Sequence, residues 1–187
     1  MSTHPVLVEV YRGQAVESQH RGSVAVIDAD GKTVLELGDI ETPVFPRSAV
    51  KAFQALPLVE SGIADRFGLT DEELALAISS HSGEPRHAET ALRILNKAGR
   101  DQTCLECGAH WPSDKIAERA LAASGQNPSA LHNNCSGKHS GFICLACGLD
   151  EDPKGYIKPE HRVQKEIRAA GEEITGFCLL YTSDAAD

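Results

Sequence analysis

Aromatic residues are scarce in this sequence, at 5% of its 187 residues, and Trp111 is the single tryptophan. Any core must therefore be mostly aliphatic. Runs of lysine and arginine are absent, and the formal net charge is −9. Nucleic acid and anionic membranes both need clustered cations, so neither is expected as a main partner. No apolar run approaches the roughly 20 residues of a membrane span. Met1-Ser2-Thr3-His4-Pro5 lacks the charged and apolar blocks of a secretory leader. These absences point to a cytoplasmic protein. No internal repeat is visible.

What is present is ordinary for a globular protein: 41% apolar and 24% charged residues. A chain of this length can bury roughly 70% of its unfolded surface. The six cysteines are Cys104, Cys107, Cys135, Cys144, Cys147 and Cys178. Without a leader they read as thiols or metal ligands rather than a disulfide frame.

Val6 to Tyr11 reads as a strand. The polar segment Glu17-Ser18-Gln19-His20-Arg21-Gly22 follows. Ser23 to Asp28 and Thr33 to Leu37 read as a hairpin, with Asp30-Gly31 as the turn because glycine accepts positive φ. Pro46 suits the start of a helix running to about Glu60. Thr70-Asp71-Glu72-Glu73 is a capping box, opening a helix to about Ile78. Further helices are expected over Arg86 to Ala98, Asp114 to Ala123, the apolar run that follows Gly141, reaches Cys147 and is stopped by Gly148, and Glu160 to Glu173. This order predicts an α+β (mixed α/β) fold, an antiparallel sheet with packed helices.

The stretch that organises the chain is Arg47-Ser48-Ala49-Val50-Lys51. Residues three apart share a helix face, so the Lys51 amine is expected to reach the Ser48 hydroxyl. A serine is a poor nucleophile until a base takes its proton, and a neutral lysine can be that base. Ser-x-x-Lys is also the nucleophile pattern of penicillin-binding proteins and class A β-lactamases. A helix cap followed by a solvated lysine is the plain alternative. Ser79-Ser80-His81-Ser82-Gly83-Glu84-Pro85 is dense in hydroxyls and opens a helix, where backbone N–H groups can hold an anion or oxyanion; its serines could equally be caps. Gly137-Lys138 is not a phosphate-binding loop, since His132 stands where its first glycine belongs and His139 replaces its Ser or Thr.

Four segments occur in order: Arg47 to Lys51, Ser79 to Glu84, Cys107-Gly108-Ala109-His110-Trp111-Pro112, and His132-Asn133-Asn134-Cys135-Ser136-Gly137-Lys138-His139. Together with Glu17 to Gly22, this set resembles the rhizobial-type (class 3) L-asparaginases, the asparaginase II family, over about Val6 to Gly176. The resemblance implies a fold related to serine β-lactamases and glutaminases. It implies hydrolysis of L-asparagine to L-aspartate and ammonia, two Ser–Lys tandems, a zinc ion beside the pocket, and a homodimer in the full-length protein. Carried over, Ser48 and Lys51 match the first tandem and Ser80 the serine of the second. Cys135 and Lys138 match two zinc ligands. Arg47, Asn134 and His139 match positions that line the substrate pocket.

Members of that family are longer, and their carboxyl half supplies a further cysteine ligand and the second tandem's lysine. Residues 1–177 are therefore expected to be the amino-terminal part of a single domain whose carboxyl half is missing. Residues 178–187 resemble an adapter-derived tail. The chain alone is expected to be inactive and at best a weak zinc binder. Three rivals stay open: a penicillin-recognising serine enzyme, a cysteine nucleophile at Cys135 served by Lys138 or His139, and a zinc-binding module. The module would use Cys104/Cys107 and Cys144/Cys147, but thirty-six residues separate these Cys-x-x-Cys pairs. Packing in the core is the plainer role for those thiols.

Overall fold

The computed structural model describes residues 4–177. The chain forms an α+β structure in two compact units, one up to Phe45 and one from Pro46 onward. The tail set apart in the sequence reading, residues 178–187, lies outside the described residues.

The first unit is made of two antiparallel hairpins. Strand β1 (Val6–Arg12) pairs with β2 (Ala15–Arg21), and β3 (Val24–Ile27) with β4 (Thr33–Leu37). The β3–β4 hairpin and its turn match the sequence expectation: Gly31 has φ +78°, and the Asp28 carboxylate accepts the N–H groups of Asp30 and Lys32. Strand β2 was not expected. Its residues are mostly polar and are assigned no element from sequence, but cross-strand pairs hold it: Arg12 with Glu17, and Gln19 Nε2 donating to Glu9 at 2.8 Å. The antiparallel pairing thus takes the form of two two-stranded sheets rather than one.

The second unit is helical. After a 3₁₀ turn at Arg47–Val50 come α1 (Lys51–Gln54), α2 (Leu56–Glu60), α3 (Ile63–Arg66), α4 (Asp71–Ala77), α5 (Pro85–Lys97), α6 (Lys115–Ala123), α7 (Ser136–Gly148) and α8 (Arg162–Thr175). The helix expected from Ser48 to Glu60 is broken at Ala55, ahead of Pro57. The capping box on α4 is complete. Glu73 N donates to Thr70 Oγ1 at 3.3 Å, and Thr70 N donates to Glu73 Oε2 at 2.8 Å. Glu73 is buried, and Lys97 Nζ at 2.6 Å satisfies its charge.

Helix α7 is the axis of this unit. Nearly all of its residues are buried, Lys138 and His139 included, and α2, α3, α4, α5 and α8 all pack on it. Small residues allow that crowding. A Cβ on Gly137 would lie 2.4 Å from the Leu76 carbonyl oxygen, and one on Gly148 would lie 2.4 Å from Ile63. Ile94, Leu95, Ile143 and Val163 fill the core with no exposure, each worth roughly 1.5–3 kcal/mol of transfer free energy. No helix among the described residues is long and apolar enough to cross a membrane.

Candidate active site

Three pieces of the helical unit meet at one cluster: the 3₁₀ turn into α1, the loop after α4, and the start of α7. Their approach depends on Gly137. Because it has no side chain, α7 can touch the last turn of α4, whose exit carries Ser79, Ser80 and His81. His81 N donates to Asn134 O at 3.0 Å and ties that loop to the residue before Cys135.

Lys51 is the centre of the cluster and only 1% exposed. Its Nζ donates to Ser80 Oγ at 2.7 Å, to the Ser79 carbonyl at 3.1 Å and to Cys135 Sγ at 3.1 Å. An ammonium has three N–H donors, and here each finds an acceptor. Ser80 Oγ in turn donates to Ser48 Oγ at 2.9 Å. The helix-face argument anticipates a direct Lys51–Ser48 pairing; the structure instead has a relay in which Ser80 stands between them. Both serines are exposed, so the relay runs from a buried amine to the surface. Ser48 follows Arg47, whose φ is +48°, a left-handed backbone that costs a non-glycine residue on the order of 1–3 kcal/mol.

The other predicted residues fall around this relay. Cys135 caps α7 at 3% exposure, and Lys138 lies one turn further on, buried, with its ammonium 5.8 Å from the centre of the Phe142 ring. Asn134 is half-buried. Its N–H donates to His110 Nε2 at 2.9 Å, which leaves His110 Nδ1–H for the Trp111 carbonyl at 2.8 Å. His139 does not line an open pocket: its ring packs between Tyr156 and Phe142. The Tyr156 hydroxyl accepts from Glu106 N at 2.9 Å and lies 2.7 Å from His139 Nδ1. Burial, then the charges of Lys138 and Lys51, push His139 down to about 3, so it is neutral at physiological pH. The Glu17 to Gly22 segment belongs to the hairpin unit, where Glu17 and Gln19 serve strand pairing.

Several bracing residues escaped the sequence reading. His81 is buried and pushed down to about 4, first by burial and then by the charges of His87, Lys51, His110 and His132. Its Nδ1 accepts from Gly83 N at 3.2 Å, so Nε2 carries the proton facing Ser136 Oγ at 2.9 Å, and that hydroxyl donates to Leu131 O. The Asn133 amide bridges two segments, accepting from Cys135 N and donating to Cys107 O, each at 2.8 Å. The place of His81 in a closed hydrogen-bond chain shows only in three dimensions. Ahead of α5, Ser82 is not a cap: its hydroxyl donates to the Glu84 carboxylate at 2.9 Å.

Zinc accepts thiolate and nitrogen ligands, usually four in a structural site. Cys135 and Lys138 present one sulfur and one nitrogen a helical turn apart, a donor chemistry that suits half of such a set. No group of three His, Cys, Asp or Glu that could hold a metal occurs among the described residues. The two Cys-x-x-Cys pairs do not build one. Cys144 lies in the core, its thiol pushed up to about 12 by burial, while Cys107 is pushed up to about 11 by burial near the Ala130 carbonyl.

A buried lysine serving a chain of two hydroxyls is the equipment of acyl-transfer hydrolases that use lysine as their base. The chain belongs to the L-asparaginase II family, whose sequence model matches residues 8–184. None of the curated proteins compared with it matches.

Proposed function

We propose that this chain carries the acylating centre of an amidohydrolase acting on a small amide, L-asparagine. One observation supports the reading above the others: buried Lys51 bonded to Ser80, and Ser80 to Ser48, in an unbroken path to the surface. In this reading Ser48 Oγ attacks the side-chain amide carbon. Its proton passes to Ser80, whose own proton passes to Lys51 once that amine is neutral. The C–N bond then breaks, ammonia leaves with the proton held on Lys51, and aspartate remains esterified to Ser48 until water releases it. Arg47 and Asn134 border the cluster and are proposed to hold the substrate. Cys135 and Lys138 are the residues that would hold zinc, which as a Lewis acid polarises a bound carbonyl. The family resemblance gives the second serine a lysine of its own, whereas Ser80 here meets Lys51. With one lysine shared between two hydroxyls, acylation is proposed to outrun turnover in this chain. Burial of Cys135 at the base of the cluster favours serine over cysteine as the nucleophile.

The test follows acylation. The chain is incubated with an activated β-ester of L-aspartate, quenched, and mapped by peptide mass. A label on Ser48 that is lost in Lys51→Met and Ser80→Ala supports the reading. Undiminished labelling in Lys51→Met overturns it, as does preferential acylation by a β-lactam.

A further inference from the structure

The bond between Lys51 and Cys135 has a use that the acylation relay does not require. Cys135 Sγ and Lys51 Nζ are 3.1 Å apart, and both side chains are buried. Each is held from behind. Cys135 N donates to Asn133 Oδ1 at 2.8 Å, and Lys51 is anchored on the Ser79 carbonyl at 3.1 Å. A thiol and an amine thus lie at contact distance in a buried setting, the amine held by the Ser79 carbonyl and the Cys135 backbone by Asn133. The exposed Ser48 and Ser80 hydroxyls mark the side from which a small molecule reaches the pair.

We infer that Lys51 and Cys135 form an oxidation-closed covalent pair, a sulfenamide made by hydrogen peroxide and opened by thiols. The first step is thiol oxidation. The Cys135 sulfur attacks one peroxide oxygen, the O–O bond breaks, and the departing hydroxide takes a proton to leave as water, giving a sulfenic acid. In the second step the neutral Lys51 amine attacks that sulfur. The S–O bond breaks, an S–N bond forms, and the leaving hydroxide takes an amine proton as a second water. In sum, one thiol, one ammonium and one peroxide give the S–N link, two waters and a proton. The sulfur is oxidised and the peroxide reduced. A free thiol reverses the link by attacking sulfur and forming a mixed disulfide, which a second thiol resolves.

Closing the link takes Lys51 away from Ser80. On the function proposed above, the hydroxyl relay then has no base and acylation stops until thiol is added. Only this consequence rests on that reading; the link itself does not.

Cys107 is the competing partner, a half-buried thiol whose carbonyl is tied to Asn133, the residue that also holds the Cys135 N–H. The experiment therefore separates the two. The chain, freed of metal by chelation, is treated with a small excess of hydrogen peroxide, digested without reductant and mapped by mass spectrometry. The expected product joins the peptide containing Lys51 to the one containing Cys135, with two hydrogens lost, and dithiothreitol releases it. The link should persist in the Cys104→Ser, Cys107→Ser, Cys147→Ser triple variant. It should fall at least about tenfold in Cys135→Ser and in Lys51→Arg, the latter keeping a cation in place should Cys135→Ser not fold. A Cys107–Cys135 disulfide as the main product overturns the inference. So does Cys135 recovered as sulfinic or sulfonic acid beside an unmodified Lys51. Loss of Ser48 acylation without the link leaves the proposed function standing and removes this one.

Discussion

The two units of the chain obey the same rules of local structure and differ in what they bury. In the hairpin unit, pairing is regular and turns are well specified, yet Val34 is 66% exposed and Tyr11 57%. In the helical unit, Ile94, Leu95, Ile143 and Val163 have no exposure at all. A two-stranded sheet without a buried face is marginal in water, whereas a helical unit arranged about a buried axis carries its own core. The difference teaches where chemistry can be held. The described groups of the candidate site lie in the unit whose packing fixes them, while in β2 Glu17 and Gln19 make cross-strand pairs.

That contrast can be broken in several ways. The largest effect is expected at the relay. Lys51→Met should lower acylation of the serine pair by about 10²–10⁴-fold, the usual worth of a positioned base, while substituting Glu17 in β2 should leave it within about twofold. Equal losses would erase the distinction between the units. Next comes the core. Ile143→Ala should cost about 2–5 kcal/mol in urea unfolding, against less than about 0.5 kcal/mol for Val34→Ala. A hairpin substitution as costly as the core one would mean that the strands bury more in solution than they do here. Gly137→Ala is smaller, about 1–3 kcal/mol, because the added Cβ collides with the Leu76 carbonyl oxygen and α7 must shift. It should also loosen the Lys51–Ser80 bond and so reduce acylation, which Ile143→Ala should do far less.

The smallest effect expected is on pH dependence. His81 titrates near 6.5 when unfolded and is pushed down to about 4 in the fold. The unfolded chain therefore binds its proton first as pH falls. The stability of neutral His81 is fully present above about pH 6.5 and is lost progressively down to about pH 4. His81→Gln should flatten the stability profile across that window, as read by thermal melting at a series of pH values.

Much of this was legible in the residues. Thr70 and Glu73 announce the start of α4, the glycine at position 31 announces its hairpin turn, and the apolar run from Gly141 to Cys147 announces the latter part of α7. Ser48 and Lys51 could be picked out from their Ser-x-x-Lys spacing, while Ser80 and Cys135 are picked out through the family resemblance of their segments. What was hidden depends on distance in space. The i,i+3 spacing suggested that Lys51 serves Ser48 directly, but a 3₁₀ turn begins the segment and Ser80 comes between them from twenty-nine residues away along the chain. The family resemblance gives His139 a place in the pocket lining; here its ring packs between Tyr156 and Phe142. Strand β2 has no hydrophobic alternation, so only its cross-strand partners reveal it.

The measurement that bears most directly on the account is the site of acylation by an activated β-ester of L-aspartate, compared between the unaltered chain and Lys51→Met. The account predicts an acyl group on Ser48 in the first and at least about a hundredfold less of it in the second. A label outside the Ser48–Ser80 pair, or one that persists without Lys51, would contradict it.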